Sequence, residues 1–134
     1  MDYLGNPDVI LIFGGTNDIY QRASLGDYVY SGWTEDQLNT FRPAMAYMLD
    51  YLKRQHPKAT IYFLIDIELC INDTTIDDET RQAYIDSMHR IASHYSVSCI
   101  DIFGIQKEFW HPNAQGQKDI ARQVLEVLEA DFNV

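Results

Sequence analysis

The first residues that could do chemistry are 14–18 (Gly-Gly-Thr-Asn-Asp), which directly follow an apolar run at 9–13. Glycines let the backbone turn sharply and let a substrate approach closely. The side-chain amide of Asn17 can donate a hydrogen bond to an oxyanion that develops on a carbonyl. The segment satisfies neither the Gly-x-Gly-x-x-Gly pattern of dinucleotide sites nor the Gly-Lys-Ser/Thr ending of a phosphate-binding loop. It indicates an oxyanion site with Gly15 and Thr16 beside the substrate; the alternative for Asn17 is a turn-forming residue bonded to its own backbone.

The second group is 108–113 (Glu-Phe-Trp-His-Pro-Asn), between the third apolar run and the last helical pattern. An imidazole can take a proton from a nucleophile and return it to a leaving group, so His111 is a candidate catalytic base. A carboxylate three residues earlier, Glu108, could hold the other ring nitrogen in the right tautomer. The alternatives are Gln106 or a backbone carbonyl for the orienting role, a solvated carboxylate for Glu108, and a helix-entry histidine for His111.

Three apolar, β-branched runs predict the strands that must position these groups, at 9–13, 60–65 and 97–103. The first two are apolar at successive positions, as in strands that are buried on both faces. Helical patterns lie between and after them, at 35–55, 78–95 and from about 113 onward. Thr34 and Gln37 predict a capping box, and Pro43 predicts either a kink or a helix that begins near Arg42.

Strands that alternate with helices predict parallel pairing in one α/β domain over 1–134. Ligands bind at the carboxyl edge of such open sheets. Because Asn17 and His111 each follow a strand, we expect both at that edge. The stretch 19–33 is long for a connection between a strand and a helix. Its aromatic residues, among them Tyr28 and Trp33, could contact an acyl group or a sugar or could pack the loop itself.

Together the two groups resemble the SGNH (GDSL-like) hydrolase superfamily, over nearly the whole chain. The strand with 15–18 (Gly-Thr-Asn-Asp) is similar to the family's third block, whose Asn is an oxyanion-hole donor. The segment 111–113 (His-Pro-Asn) with Gly116 is similar to the fifth block, whose His is the catalytic base. The resemblance implies a flavodoxin-like three-layer α/β fold, reduced here to about three parallel strands flanked by helices. The family usually carries Asp where this chain has Glu108.

The family's nucleophile block, Gly-Asp-Ser, and its second block both precede the Asn block, and too few residues lie before 9–13 to hold them. The segment 26–28 (Gly-Asp-Tyr) is no substitute, since it lacks the serine and falls after Asn17. The chain is therefore expected to be the C-terminal portion of such a hydrolase, inactive by itself.

The resemblance implies hydrolysis of acyl esters, and short acyl or acetyl groups on carbohydrate are the expected substrates, because the aromatic loop could stack on sugar rings. Three hypotheses stay open. The serine-bearing segment is missing from this chain, or another chain supplies the missing strands, or the chain is a non-catalytic carbohydrate-binding or structural remnant.

The amino-acid composition limits which kinds of partner the chain can bind. The net charge is −10 with only ten Lys and Arg, which argues against a nucleic-acid partner. No apolar stretch approaches the roughly 20 residues of a membrane span, and 1–7 has no signal-peptide pattern, so the compartment is left open. The histidine spacings predict no metal site, and no cofactor is expected. The unpaired hydrophobic edge of the first strand predicts a homodimer.

Overall fold

The computed structural model describes residues 5–108 and 111–133. Three strands form a parallel sheet in the order β1-β2-β3, and two short strands form an antiparallel ribbon, β4-β5. The elements in chain order are β1 (Val9–Phe13), α1 (Thr16–Tyr20), α2 (Glu35–Leu38), α3 (Phe41–Gln55), β2 (Thr60–Asp66), α4 (Asp78–His94), β3 (Ser98–Ile102), β4 (Lys107–Glu108), β5 (His111–Pro112) and α5 (Ala114–Phe132).

Helices cover both faces of the parallel sheet. On one face α3 and α4 pack against β2, where Leu49, Phe63 and Ile91 belong to one buried cluster. On the other face α5 packs against the sheet through a second cluster that includes Tyr62 and Ile120. The central strand β2 is buried at every position after Thr60, which is why its sequence is a continuous apolar run. The predicted three-layer α/β fold is confirmed.

The helical pattern at 35–55 is two helices, α2 and α3, and not one. The capping box forms at the start of α2: the Thr34 hydroxyl accepts from the Gln37 amide at 3.2 Å, and the Gln37 side chain accepts from the Thr34 amide at 2.9 Å. Pro43 lies in the first turn of α3, where a backbone N–H has no intrahelical partner. The helix therefore begins just before the proline and needs no kink.

Strand β1 lies at an edge of the sheet and pairs only with β2 among the residues that the structure describes. Its side chains alternate in burial: Ile10 and Ile12 pack against the cluster under α3 and α4. Leu11 and Phe13 point to the opposite face and are 47% and 43% exposed. The edge thus combines unpaired backbone groups with accessible apolar side chains.

None of the helices in the described ranges is long and apolar enough to cross a membrane.

Candidate active site

Asn17 lies in α1, the five-residue helix that follows β1 directly. The sequence left a turn-forming role open as the alternative for Asn17, and the structure has a short helix at this place. Gly15 caps its N-terminus with a φ of 109°, in the left-handed region that favours glycine. A Cβ on Gly15 would lie 3.2 Å from the sulfur of Met88, so space is limited as well. Asn17 is exposed and Thr16 is half-buried at the carboxyl edge of the sheet.

Asp18, the next residue, borders a cavity of about 290 Å³ whose other lining is mostly apolar, Phe41 and Met45 included. Burial raises the pKa of the Asp18 carboxyl, and a hydrogen bond from its own backbone amide opposes this with a smaller effect. Because the folded-state pKa is raised, the contribution of this group to stability is fully present below the unfolded pKa. It is lost as the pH rises through the folded pKa. Burial thus favours the neutral form of this carboxyl relative to that of an exposed Asp.

His111 lies in the ribbon β4-β5, which the sequence patterns did not predict. The register pairs Glu108 with His111 and Lys107 with Pro112. Residues directly opposite in an antiparallel pair point to the same face, with Cβ atoms about 4.5–5.5 Å apart. Glu108 and His111 are three positions apart in the sequence and are direct cross-strand neighbours in the ribbon. The two residues between them lie outside the described part of the chain. The side chains of Glu108 and His111 are both exposed.

The segment that leads into the ribbon is held by side chains of α5. The Gln123 side chain donates to the Phe103 carbonyl at 2.9 Å and accepts from its amide at 3.2 Å. Asp119 accepts from the Gln106 amide at 3.1 Å. Asn113 donates from its side chain to the Gln106 side-chain oxygen at 2.9 Å and from its backbone amide to the Gln106 carbonyl at 3.2 Å. The Gln106 side chain is thus tied to the N-cap of α5, which favours Glu108 over Gln106 as the group beside His111.

The carboxyl end of β2 holds the ribbon from the other side. Asp66 is only 6% exposed and forms an ion pair with Lys107, whose side chain is 14% exposed. The second oxygen of Asp66 accepts from the Glu68 amide at 3.0 Å, and the Glu68 carboxylate accepts from the Gly104 amide. Acidic residues after a strand are commonly solvated, but Asp66 and Glu68 both bind the segment that carries His111.

Two of the predicted substrate contacts lie in the aromatic loop at 19–33. The Tyr28 ring lies between the guanidinium groups of Arg42 and Arg90, at 4.2 and 4.0 Å from the ring centre. Trp33 meets the ring of Tyr47 edge-on, with centroids 5.3 Å apart. These contacts pack the loop against α3 and α4. Contact of Tyr28 or Trp33 with a substrate stays a prediction.

Gly116 lets α5 begin against the ribbon. A Cβ at this position would lie 2.0 Å from the Gln106 carbonyl oxygen, a backbone atom that cannot turn aside. Gly116→Ala gains about 1 kcal/mol of helix propensity, but overpacking against fixed backbone costs about 1–3 kcal/mol. At so short a distance the second effect is expected to prevail, with a lower free energy of unfolding in urea.

The matched control for Gly116→Ala is Gln117→Ala, on the exposed side of the same helical turn, which should leave the unfolding midpoint near that of the parent. Equal stability of the two variants would contradict this account of Gly116.

The fold is a layered α/β domain around a parallel sheet, with a candidate oxyanion donor and a candidate base after its strands. A sequence model of the GDSL-like lipase/acylhydrolase family matches residues 1–128, and the chain belongs to this family. The resemblance to the SGNH superfamily is thereby confirmed. A search among curated proteins gave no significant match.

Solved structures agree with this assignment. A GDSL-like lipase from Bacteroides uniformis is 39% identical, with a TM-score of 0.81 over 96% of this chain and 55% of its own. One from Bacteroides ovatus is also 39% identical, with a TM-score of 0.81 over 97% of this chain and 57% of its own. The present chain therefore spans little more than half the length of these relatives. A carbohydrate esterase family 2 enzyme from Corynascus thermopiles (Myceliophthora fergusii), 17% identical with a TM-score of 0.68 over 96% of this chain and 38% of its own, shares the fold.

Proposed function

We propose that this chain supplies the oxyanion donor and the catalytic base of a serine esterase, with the nucleophilic serine coming from residues outside these 134. The observation that supports this most is the position of Asn17 and His111. Asn17 follows the carboxyl end of β1, and the ribbon with His111 is tied to the carboxyl end of β2 by the ion pair between Asp66 and Lys107. Since the strands are parallel, these ends form one edge of the sheet, where ligands bind in such folds.

In the proposed reaction a serine hydroxyl attacks the acyl carbonyl carbon while His111 takes the hydroxyl proton. The carbonyl oxygen becomes an oxyanion and accepts a hydrogen bond from the side-chain amide of Asn17. His111 then gives its proton to the departing alcohol as the ester bond breaks, and water repeats both steps to release the acid. Glu108, the cross-strand neighbour of His111, holds the imidazole in the productive tautomer.

For the substrate we propose short acyl esters, acetyl groups on carbohydrate among them. The support is the half-buried aromatic loop, in which Trp33 keeps part of its surface accessible, while Arg42 and Arg90 cover the ring of Tyr28. Sugar rings stack on such surfaces. The Corynascus enzyme is named a carbohydrate esterase, but a similarity at 17% sequence identity shows only that the two proteins share a fold.

A second candidate function is a non-catalytic binding or structural role as a homodimer. The unpaired edge of β1, with Leu11 and Phe13 exposed beside it, favours this candidate. No serine in the described part of the chain directly follows the carboxyl end of a strand, as the nucleophile of this superfamily would.

The purified 134-residue chain is expected to show no serine-esterase activity, because the base and the oxyanion donor have no nucleophile to act on. The measurement is hydrolysis of p-nitrophenyl acetate, followed by labelling with a serine-directed fluorophosphonate. Turnover that the fluorophosphonate abolishes would show that a serine within the chain serves as nucleophile, and it would overturn the proposal that the nucleophile lies outside.

A further inference from the structure

A buried ion pair joins the central strand to the ribbon that carries His111. Asp66 is the last residue of β2 and is 6% exposed, and Lys107 is the first residue of β4 and is 14% exposed. Removing two charges from water is costly, and the cost is offset only where the geometry is good and the remaining oxygens are hydrogen-bonded. The second carboxylate oxygen of Asp66 meets that condition by accepting from the Glu68 amide at 3.0 Å. Because the desolvation of an ion pair is so costly, we expect this pair to have a role other than stabilising the fold.

The ribbon does not by itself determine which of its faces meets the sheet. Each strand has two residues, and the two-residue connection between them sets the register, as loop length does in hairpins. Contacts with the rest of the fold determine which face of this short ribbon is covered. In the observed register Lys107 and Pro112 share the face that meets the carboxyl end of β2, so Glu108 and His111 share the opposite, exposed face.

Three side chains hold the chain on either side of the ribbon strands: Gln123 binds Phe103, Asp119 binds Gln106, and Asn113 binds Gln106. The ion pair between Asp66 and Lys107 acts within β4 itself, on the residue next to Glu108. It therefore holds the Lys107 side of β4 against the carboxyl end of β2.

We propose that Asp66 is a positioning residue: through its ion pair with Lys107 it holds the face of Lys107 and Pro112 against β2 and so places Glu108 and His111 on the face away from β2. The catalytic consequence rests on the proposed esterase function, since His111 is the base there. The structural claim, that Asp66 sets the position of His111 at a distance, stands on the geometry of the ion pair alone.

The test is NMR of the 134-residue chain, which has four histidines. Two readouts are used: the ring ¹H–¹³C resonance of His111 and the nuclear Overhauser contact between the Glu108 side chain and the His111 ring. Lys107→Met leaves Asp66 as an unpaired buried charge and is strongly destabilising, so a double variant, Asp66→Leu with Lys107→Met, is made as well. Replacing a buried ion pair by apolar residues of similar volume commonly preserves the fold.

In the folded double variant we expect the amide spectrum of β1 to β3 to be retained. The contact between Glu108 and His111 should persist, since the hairpin sets it, while the His111 ring resonance should shift and those of His56 and His94 stay in place. Lys107→Arg keeps the charge and should leave the His111 resonance near its parent position, a rescue that a packing role alone would not predict. Asp101→Asn, which changes the partner of His89 at 3.0 Å, should shift the His89 resonance and leave His111 unmoved.

An unchanged His111 resonance in either folded variant lacking the pair would overturn the proposal. So would a His111 shift in Lys107→Arg as large as that in the double variant. None of these readouts requires turnover. A negative result leaves the esterase proposal intact, and an inactive esterase leaves the effect of Asp66 on the ribbon measurable.

Discussion

Replacing His111 with alanine is expected to lower kcat for ester hydrolysis by about 10⁴-fold or more, once a serine-bearing segment is fused ahead of this chain. Without the imidazole the serine hydroxyl keeps its proton and is a weak nucleophile, and the departing alcohol receives no proton. Substrate binding and the oxyanion donor would remain, so a small residual rate is expected. The segment would come from a GDSL-like lipase such as the 39% identical Bacteroides ovatus protein, ahead of the part that this chain matches.

The control for this experiment is His56→Ala. His56 caps the C-terminus of α3, just before β2 begins, and so lies at the opposite edge of the sheet from His111. Its replacement should leave kcat near that of the parent fusion. A His111→Ala protein that is folded and nearly as active as the parent would remove the base role. A folded parent fusion that hydrolyses no acyl ester would contradict the proposed function itself.

The parallel sheet could be predicted from the sequence because unbroken apolar runs mark its strands. Burial on both faces holds for β2, whereas Leu11 and Phe13 of the edge strand β1 are exposed, so that part of the expectation was wrong for β1. The run at 9–13 coincides with β1, and the run at 60–65 falls one residue short of the end of β2. Helix α3 begins at Phe41, close to the start that Pro43 implied. These elements are long and have the periodicity on which sequence patterns depend.

The ribbon could not be predicted in this way. Its strands have two polar or half-buried residues each, too short for any alternation to be recognised. The burial of Asp66 was missed for a related reason: an acidic residue at the end of a strand indicates a solvated loop unless its partner is known. That partner, Lys107, lies far along the chain, and only the fold brings the two together.

The short helix α1 shows a third limit of predicting structure from the sequence. Glycine-rich segments after a strand indicate a turn, and Gly15 does adopt a left-handed conformation. The helix that follows has five residues and depends on packing, since Ile19 is buried in the core. The residue types at 14–18 indicated the chemistry, while tertiary contacts determined the local structure.

The second large expected effect concerns assembly of the 134-residue chain. Edge strands with free N–H and C=O groups pair readily with another chain unless Pro, Lys or a covering element blocks them. β1 contains neither residue, and Leu11 and Phe13 are exposed beside its edge. We propose that two copies associate through this edge around a two-fold axis. Such a pairing is antiparallel and makes one continuous mixed sheet.

Light scattering at micromolar concentration is therefore expected to give twice the chain mass of 15.5 kDa. Leu11→Lys should shift this mass to that of a monomer, because a charged side chain at the edge opposes pairing and, being exposed, disturbs no core contact. Leu125→Lys is the matched control: Leu125 is 54% exposed on α5, and its replacement should leave the dimer intact. A parent chain that is monomeric would count decisively against the proposal. The serine-bearing fusion provides a further check, since we expect a strand of the added segment to pair with the open edge of β1. Both occupants need the same backbone groups, so the fusion should be a monomer without any substitution at Leu11.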